Sequence, residues 1–381
     1  MARKLLITAF LVLIITTGAV FIWRSRPKPA IETKFVQNVE NRSENLDAGN
    51  GNNEVTNENS EGGKSVEVIQ SGDYALLDNP KHTYQTFNNC GPATLSMILS
   101  WYGKNVSQKE LGDKMRPFQI ASGDNDDKTI FTYEFVDWAK EYGLEAAGRV
   151  NGDIDLLKTF TANGIPVVVK TWLHPNEDIG HFRIVRGFDE SKQVIIQDDS
   201  YEGPNKKISY YDFLSMWQPF NYAYVIVYKS DQKDLVEAII GNEIDEMITW
   251  ENSLDRAKKE SQLDTENVYP VFNMAVAYYH LGDYNNSVSA FEKVEDKLPK
   301  RMLWYQIEPI LAYQKLGNYD RVYQIIDKVL NNGNRAYSEL YQIRGEIYLA
   351  QGNNDAARRE FEMAIQYNKL FKPAQKAINS F

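Results

Sequence analysis

The sequence contains very little cysteine and histidine. Of its 381 residues, one is a cysteine and four are histidines. A single cysteine, Cys90, excludes an intrachain disulfide and any zinc site that is built from cysteines. The histidines are His82, His174, His181 and His280, and they show no metal-ligand spacing relative to one another. The sequence therefore predicts neither a metal site nor a cofactor.

The sequence also lacks an excess of basic residues. Its 42 lysines and arginines are outnumbered by 52 acidic residues, which gives a net charge of −10. No basic stripe with interleaved aromatic residues occurs, so we expect no nucleic-acid partner. The motifs GxxxxGK[ST] and HExxH and a glycine-rich dinucleotide loop are also absent from the sequence. The corresponding nucleotide and metal enzymes are therefore excluded.

The N-terminal 73 residues have no pattern of a packed domain. Residues 1–28 include a largely apolar run at 5–23, which as a helix would span roughly 30 Å and cross a bilayer. We expect a membrane anchor there, with the bulk of the chain outside the cytoplasm. A cleaved signal peptide, with small residues at 17–19, is the alternative. Residues 29–73 are rich in Asn, Glu, Ser and Gly, which predicts a disordered acidic linker.

Residues 74–230 mix helical and strand patterns. Several runs rich in β-branched and aromatic residues follow the helical segments and are separated by turn residues. Helices first and strands later favour an α+β domain with an antiparallel sheet. The predicted helices cover 91–102, 131–142 and 153–162, and the predicted strands cover 165–172, 182–189, 193–198 and 221–229.

Residues 232–381 are helical and repetitive. Gly282, Gly317 and Gly352 recur every 35 residues, within the aligned segments 278–294, 313–329 and 348–364. Each unit has the pattern of two helices joined by a short turn, and such units must stack to bury their apolar faces. The pattern resembles tetratricopeptide repeats, which implies an all-α solenoid that binds a protein partner. A helical pair at 234–262 and a segment after Pro373 are expected to cap the stack.

The segment "QTFNNCGPATLSMILSWYG" (85–103) places Cys90 at the start of a predicted helix. Pro92 suits the first turn of that helix and Gly103 suits its end. Free N–H groups and the positive end of the helix dipole would stabilise a thiolate at this position. A small buried thiol without a catalytic role is the alternative. The expected buried stripe consists of Leu95, Ile98, Leu99 and Tyr102.

Candidate partners for a catalytic thiol lie far downstream. His181 precedes an apolar strand in "GHFRIVRGFD", and Asp198 and Asp199 end the next strand in "VIIQDDSYEGP". A hairpin of these two strands would bring a carboxylate to the imidazole, but only one of two adjacent strand residues can face it. Gln85 offers an amide that could stabilise an oxyanion. His82 and His174 are expected in loops, and His280 in the packing of the repeats.

These three blocks resemble the bacteriocin-processing, double-glycine leader peptidases, which are cysteine peptidase family thirty-nine. The resemblance covers roughly residues 75–229 and implies a papain-like fold. It implies that Cys90 is the nucleophile, His181 the general base and acid, and Gln85 the oxyanion donor. It assigns the triad carboxylate to Asp199, with Asp198 as the neighbouring alternative. Gln85 lies five residues before the cysteine, whereas the family's glutamine lies six before it. Gln85 therefore fits the family's pattern less well than Cys90 and His181 do.

The expected function is that of a membrane-anchored or exported cysteine peptidase. Its substrate would be a peptide or protein, and the repeats would bind that substrate or a partner. The sequence leaves two alternatives open. One is a catalytically silent scaffold that binds peptides or partners, and the other is an amide acyltransferase that uses the same triad.

Overall fold

The computed structural model describes residues 66–115, 117–118 and 130–381. The predicted membrane segment at 5–23 and most of the predicted linker at 29–73 lie outside the described residues. Within these ranges, no helix combines the length and the apolar character needed to cross a membrane.

An antiparallel sheet of seven strands forms the centre of the first domain. The spatial order is β2-β7-β3-β4-β5-β6, and β1 pairs with β4 outside this path. The predicted strands are confirmed as β3, β4, β5 and β7, whereas β1, β2 and β6 lack a clear sequence pattern. The strands are β1 Tyr74–Leu76, β2 Glu145–Arg149, β3 Val167–Trp172, β4 Gly180–Asp189, β5 Val194–Asp199, β6 Gly203–Ser209 and β7 Tyr224–Tyr228.

The two faces of the sheet are buried by different helices. Successive strand residues point to opposite faces, so Val168 and Ile184 pack on one side and Val167 and Val185 on the other. The first side is covered by α1 Cys90–Trp101, α2 Gln108–Met115 and α3 Thr132–Glu141. The second is covered by α4 Ile154–Ala162, α5 Tyr210–Trp217 and α6 Lys233–Ile240. The α+β class is therefore confirmed, and α6 packs on this sheet although its position was predicted to cap the repeats.

Helix α1 is more deeply buried than its sequence pattern predicts. Leu95, Ile98 and Leu99 are buried as expected, but so is every residue from Cys90 to Leu99. Small and weakly polar side chains on the other faces permit this, and Thr94 and Ser96 donate hydrogen bonds to main-chain carbonyls. The helix ends as expected before Gly103, which has a φ of +76°. Cys90 is thus held at the start of a rigid core helix.

The second domain is an all-α stack, as predicted. Gly282, Gly317 and Gly352 all have a positive φ between 72° and 78° and separate the two helices of a repeat. The next residue in each repeat caps the following helix with a side-chain oxygen. The helices are α7 Glu246–Leu263, α8 Val268–His280, α9 Tyr284–Glu292, α10 Met302–Tyr305, α11 Glu308–Lys315, α12 Tyr319–Leu330, α13 Ser338–Ala350, α14 Asn354–Tyr367 and α15 Lys372–Ile378.

The first helix of the middle repeat is interrupted. It consists of the short helix α10 and of α11, with Gln306 in an extended conformation between them. Pro309 lies in the first turn of α11, where its missing N–H is tolerated but where a continuous helix would be broken. The break directs Tyr305 and Gln306 toward the first domain.

The repeats hold a segment of the first domain through its main chain. Asn273 Nδ2 donates to the carbonyl of Gln218 at 2.7 Å, and Gln306 Nε2 donates to the carbonyl of Pro219 at 2.8 Å. Glu260 of α7 accepts from Gln218 Nε2 at 2.9 Å and from the Tyr222 hydroxyl at 2.7 Å. All these groups are buried. The 3-10 turn Gln218–Phe220 therefore occupies part of the repeat surface within the same chain.

Candidate active site

Cys90 is the first residue of α1, and its side chain is 6% exposed. The main chain at this end of the helix is tightly packed, since a Cβ on Gly91 would lie 2.8 Å from Ile130 Cδ1. Asn89 precedes the helix, and its side chain does not cap the N–H groups of the first turn. N–H groups at the start of a helix favour an anion bound there.

The register of β4 and β5 decides which aspartate meets the histidine. Arg183 pairs with Asp199, and Ile184 pairs with Asp198. His181 lies two residues before Arg183 and therefore shares a face with Asp199. His181 Nε2 is 3.0 Å from Asp199 Oδ1, and both side chains are buried. The structure thus brings His181 together with Asp199 and not with Asp198.

Asp198 has a separate set of partners on the opposite face. Its carboxylate contacts the Arg186 guanidinium at 2.7 and 2.9 Å and accepts the main-chain N–H of Asn205 at 2.9 Å. Arg186 also donates to the carbonyl of Leu77. This ion pair links β4 and β5 to the start of the domain. The Arg186–Asp198 ion pair therefore has a structural role.

Asp199 is fixed by several donors besides the histidine. The main-chain N–H groups of Tyr201 and Glu202 donate to Oδ1 at 2.7 and 3.0 Å. Arg183 Nε lies 2.8 Å from Oδ2. Burial raises the pKa of Asp199, but the charge of His181, its hydrogen bond and the charge of Arg183 lower that pKa well below its usual value. Asp199 is therefore a fixed anion beside the imidazole.

The imidazole of His181 is held between this anion and the thiol. Burial lowers the pKa of His181, but the charge of Asp199 and hydrogen bonds with Asp199 and Cys90 raise that pKa to about 9. Because Nε2 faces Asp199, the other ring nitrogen is the one available to Cys90. A protonated imidazole next to a cysteine stabilises the thiolate form of that cysteine.

Gln85 lies beside the carboxylate end of this arrangement. Its main-chain N–H donates to the carbonyl of Ser200 at 2.8 Å, and the Ser200 hydroxyl donates to Gln85 Oε1 at 2.8 Å. Gln108 holds the flanking residues, since its amide accepts from the N–H of Thr86 at 2.9 Å and donates to the carbonyl of Tyr84 at 2.6 Å. The Gln85 amide oxygen is therefore occupied, and its amide nitrogen is left to donate elsewhere.

Sequence reasoning missed Arg183, Ser200 and Gln108. Arg183 carried a usable signal, because it follows His181 by two residues in a strand and must share its face. Ser200 and Gln108 carried none, since their roles depend on contacts between distant segments. Two of the remaining histidines have other partners: His174 contacts Glu177 and Glu202, and His280 stacks on Trp250. His82 packs edge-on against Tyr84 in the segment before Gln85.

Comparisons with known proteins agree with this division of the chain. Residues 74–225 match the model of the Peptidase_C39 like family, and residues 271–296 and 338–369 match a tetratricopeptide repeat model. A tetratricopeptide-repeat-containing protein of Methanocaldococcus jannaschii is 24% identical over 127 residues, which cover 31% of this chain and 22% of that protein. The chain thus spans less than a quarter of the length of this relative.

Solved structures with similar parts include peptidases and repeat proteins. A C39-like peptidase from Bacillus anthracis is 16% identical, with a TM-score of 0.35, and covers 42% of this chain and 98% of that one. A double glycine motif protease from an AMS/PCAT transporter, in complex with the leader peptide, is 21% identical with a TM-score of 0.32, and covers 42% of this chain and 99% of that one. MamA, 19% identical with a TM-score of 0.31, covers 34% of this chain and 75% of that one. The chain combines a domain of the C39-like peptidase family with tetratricopeptide repeats.

Proposed function

We propose that the protein is a cysteine peptidase that cleaves peptide bonds through Cys90, His181 and Asp199. The observation that carries the proposal is the position of His181, whose Nε2 lies 3.0 Å from Oδ1 of the buried Asp199 and whose pKa is also raised by the neighbouring Cys90. A cysteine peptidase needs these three components in this order, because the imidazole must be oriented while it exchanges protons with the sulfur and the substrate.

In the first step, the Cys90 thiolate attacks the carbonyl carbon of the substrate and forms a carbon–sulfur bond. The negative charge that develops on the carbonyl oxygen is stabilised by N–H groups at the start of α1 and by the Gln85 amide. His181 then gives its proton to the departing nitrogen as the carbon–nitrogen bond breaks. The product of this step is an acyl-enzyme thioester.

In the second step, His181 takes a proton from water, and the resulting hydroxide attacks the thioester. The carbon–sulfur bond breaks, the acid product leaves, and Cys90 returns as a thiolate beside the imidazolium. Asp199 stays ionised throughout and holds the ring in one orientation. The N–H groups of Tyr201 and Glu202, which donate to it, and the ion pair with Arg183 fix that carboxylate.

The proposal extends to the location of the enzyme and to its repeats. The apolar segment at 5–23 supports a membrane anchor with the bulk of the chain extracytoplasmic, or a secreted protein after signal cleavage. N-terminal sequencing of the membrane and culture fractions distinguishes the two. The repeats serve binding of a peptide or protein, in addition to holding the 3-10 turn Gln218–Phe220 of their own chain.

The test is cleavage of a diverse peptide mixture followed by mass spectrometry. The full-length protein is expected to release defined fragments, and Cys90→Ala is expected to reduce cleavage at least a thousandfold without a change in folding. Cleavage that survives in Cys90→Ala would refute the proposal. Products that carry an added amine in place of water would instead identify amide acyl transfer.

A further inference from the structure

A cavity of about 770 Å³ lies between the two domains. One wall is formed by α3 and β2 of the first domain, and the other by residues of α7, α8 and α11 of the repeats. Its volume is within the range of roughly 300–1,000 Å³ that is usual for ligand pockets. Neither Cys90 nor His181 lines it, so the cavity is a site separate from the triad.

The floor of the cavity is the outer edge of the sheet. Strand β2 is the end member of the strand order and pairs with β7 alone. All six consecutive residues from 145 to 150 line the cavity. Side chains alternate between the two faces of a strand, so a cavity on one face would be lined by every second residue. The unbroken run shows that the cavity follows the main-chain edge.

Main-chain groups of β2 point into this cavity. The carbonyl of Ala223, the residue before β7, accepts from Lys170 N–H at 3.3 Å, and the carbonyl of Val227 in β7 accepts from the Tyr102 hydroxyl at 2.6 Å. Odd-numbered residues of β7 therefore face away from β2, and their cross-strand partners Ala146 and Gly148 face the outer edge.

Most of these edge groups are unpaired. The Gly148 carbonyl accepts from Arg149 Nη1 at 2.7 Å. The Gly148 N–H and both main-chain groups of Ala146 have no partner on that edge among residues 66–115, 117–118 and 130–381. Ala146 is 8% exposed and lines the cavity. Unpaired N–H and C=O groups along a strand edge are a template for another strand.

The charges around the cavity select the side chains of such a strand. Five carboxylates line it, belonging to Asp137, Glu145, Glu237, Glu246 and Glu308. Glu308 Oε2 is buried and has no hydrogen-bond partner within the described part of the chain. A buried carboxylate oxygen without a donor favours a cationic ligand that supplies one.

The cations that line the cavity are largely engaged. Arg149 donates to the carbonyls of Gly148, Glu243 and Ile244. The Lys170 ammonium lies 5.4–5.6 Å from the centres of four aromatic rings, which belong to Phe131, Phe182, Phe220 and Tyr305. These contacts leave the charges in place, and with Lys140 the cavity has three cationic side chains against five carboxylates, so the charge that a ligand would meet is negative.

Aromatic side chains add a surface for a planar cation. Trp250 and His280 stack with ring centres 3.9 Å apart and an interplanar angle of 5°, and both line the cavity. Tyr133 lines the opposite wall and is 55% exposed. Guanidinium groups stack on aromatic faces and form paired hydrogen bonds with carboxylates, which favours arginine over lysine.

We propose that this cavity binds an extended, arginine-containing polypeptide segment as an additional strand beside β2. The main chain of the segment would pair with Ala146 and Gly148, and its arginines would meet Glu308 and the aromatic walls. The repeats form half of the site, which gives them a second binding role besides holding the Gln218–Phe220 turn. The proposal concerns binding and holds whether or not Cys90 is catalytic.

The test is fluorescence anisotropy with full-length Cys90→Ala protein, which cannot consume the probe. The probe is a fluorescein-labelled octapeptide of alternating valine and arginine, and its acidic twin has glutamate in place of arginine. At about 0.15 M salt, the basic peptide is expected to bind saturably and at least about tenfold more tightly than the acidic one. Glu308→Gln is expected to weaken this binding about fivefold, whereas the exposed Glu362→Gln serves as a control without effect.

Two further probes test the strand pairing without altering the protein. A peptide that pairs through one edge uses the N–H groups of every second residue. N-methylation of one alternating set of residues is therefore expected to weaken binding at least about tenfold, and N-methylation of the other set to leave it unchanged. Equal losses from both sets, or equal affinities for the basic and acidic peptides, would overturn the proposal.

Discussion

The two domains differ in what they bury. The first domain encloses charged groups in one strand pair, β4 and β5, where His181, Arg183, Arg186, Asp198 and Asp199 are all buried. The repeats bury mainly apolar and aromatic side chains. The buried amides of Asn273 and Gln306 donate hydrogen bonds to main-chain carbonyls of the first domain. Buried charge is costly unless it is paired, and these groups pair with one another: His181 and Arg183 with Asp199, and Arg186 with Asp198.

The neighbouring aspartates of β5 have different partners, and their substitution is expected to have different effects. Asp199→Asn is expected to lower the rate of peptide cleavage about a hundredfold or more, because the imidazole loses the anion that orients and charges it. Asp198→Asn is expected to retain most of the cleavage rate. It should instead lower the free energy of unfolding by about 3 kcal/mol, since Arg186 is left buried without its partner.

The measurements are kcat/KM for a cleaved peptide and urea unfolding of both variants. The two substitutions are chemically identical and differ only in the face of β5 that they alter. Equal losses of activity in the two variants would show that the separation into a catalytic and a structural aspartate is wrong.

The pH dependence of cleavage tests the charge state of the triad. The pKa of His181 is raised to about 9, so the imidazolium that protonates the leaving group is present below that pH and lost above it. The alkaline limb of kcat/KM is therefore expected near pH 9. In Asp199→Asn it should move to lower pH by about one unit or more, because the anion that raises the pKa of His181 is gone. An alkaline limb at the same pH in Asp199→Asn would contradict the assignment of Asp199 as the partner of His181.

A smaller effect is expected at the contact between the domains. Gln306→Ala removes the donor of the buried Pro219 carbonyl, and Asn273→Ala removes one of two donors of the Gln218 carbonyl, which keeps the N–H of Asn221 at 3.1 Å. Each change should lower the free energy of unfolding by about 1–3 kcal/mol. Gln314→Ala is the matched control, because the amide of Gln314 makes an exposed hydrogen bond with Glu346 and should matter little. Urea unfolding of the three variants provides the comparison.

Sequence reasoning succeeded where structure depends on neighbours in the chain. The turn glycines Gly282, Gly317 and Gly352 and the start of α1 at Cys90 are local features, and all lie where they were expected. Strand β2 was missed because "EAAGR" has no β-branched residue, and it forms a strand only through its pairing with β7. Helix α6 was placed with the repeats because its packing on the sheet depends on tertiary contacts.

In the candidate site, too, the features that depend on tertiary contacts could not be predicted from the sequence. Cys90 and His181 were predicted as a pair from the combination of the three blocks and their resemblance to a family, whereas the choice between Asp198 and Asp199 depends on the register of β4 against β5. A shift of that register by one residue would exchange the two carboxylates, and nothing local in "QDDSY" fixes it. The contact of Gln85 with Ser200 joins segments that are 115 residues apart, which no local pattern indicates.

The proposed activation of Cys90 by His181 is tested most directly by the rate at which iodoacetamide alkylates Cys90 at neutral pH. If His181 holds the thiol as a thiolate, the full-length protein should react at least about tenfold faster than His181→Ala, with both proteins folded. Because Cys90 is the only cysteine, the mass added to the protein reports this reaction alone. Equal alkylation rates in the two proteins would show that the imidazole does not activate the thiol, and would contradict the proposed triad.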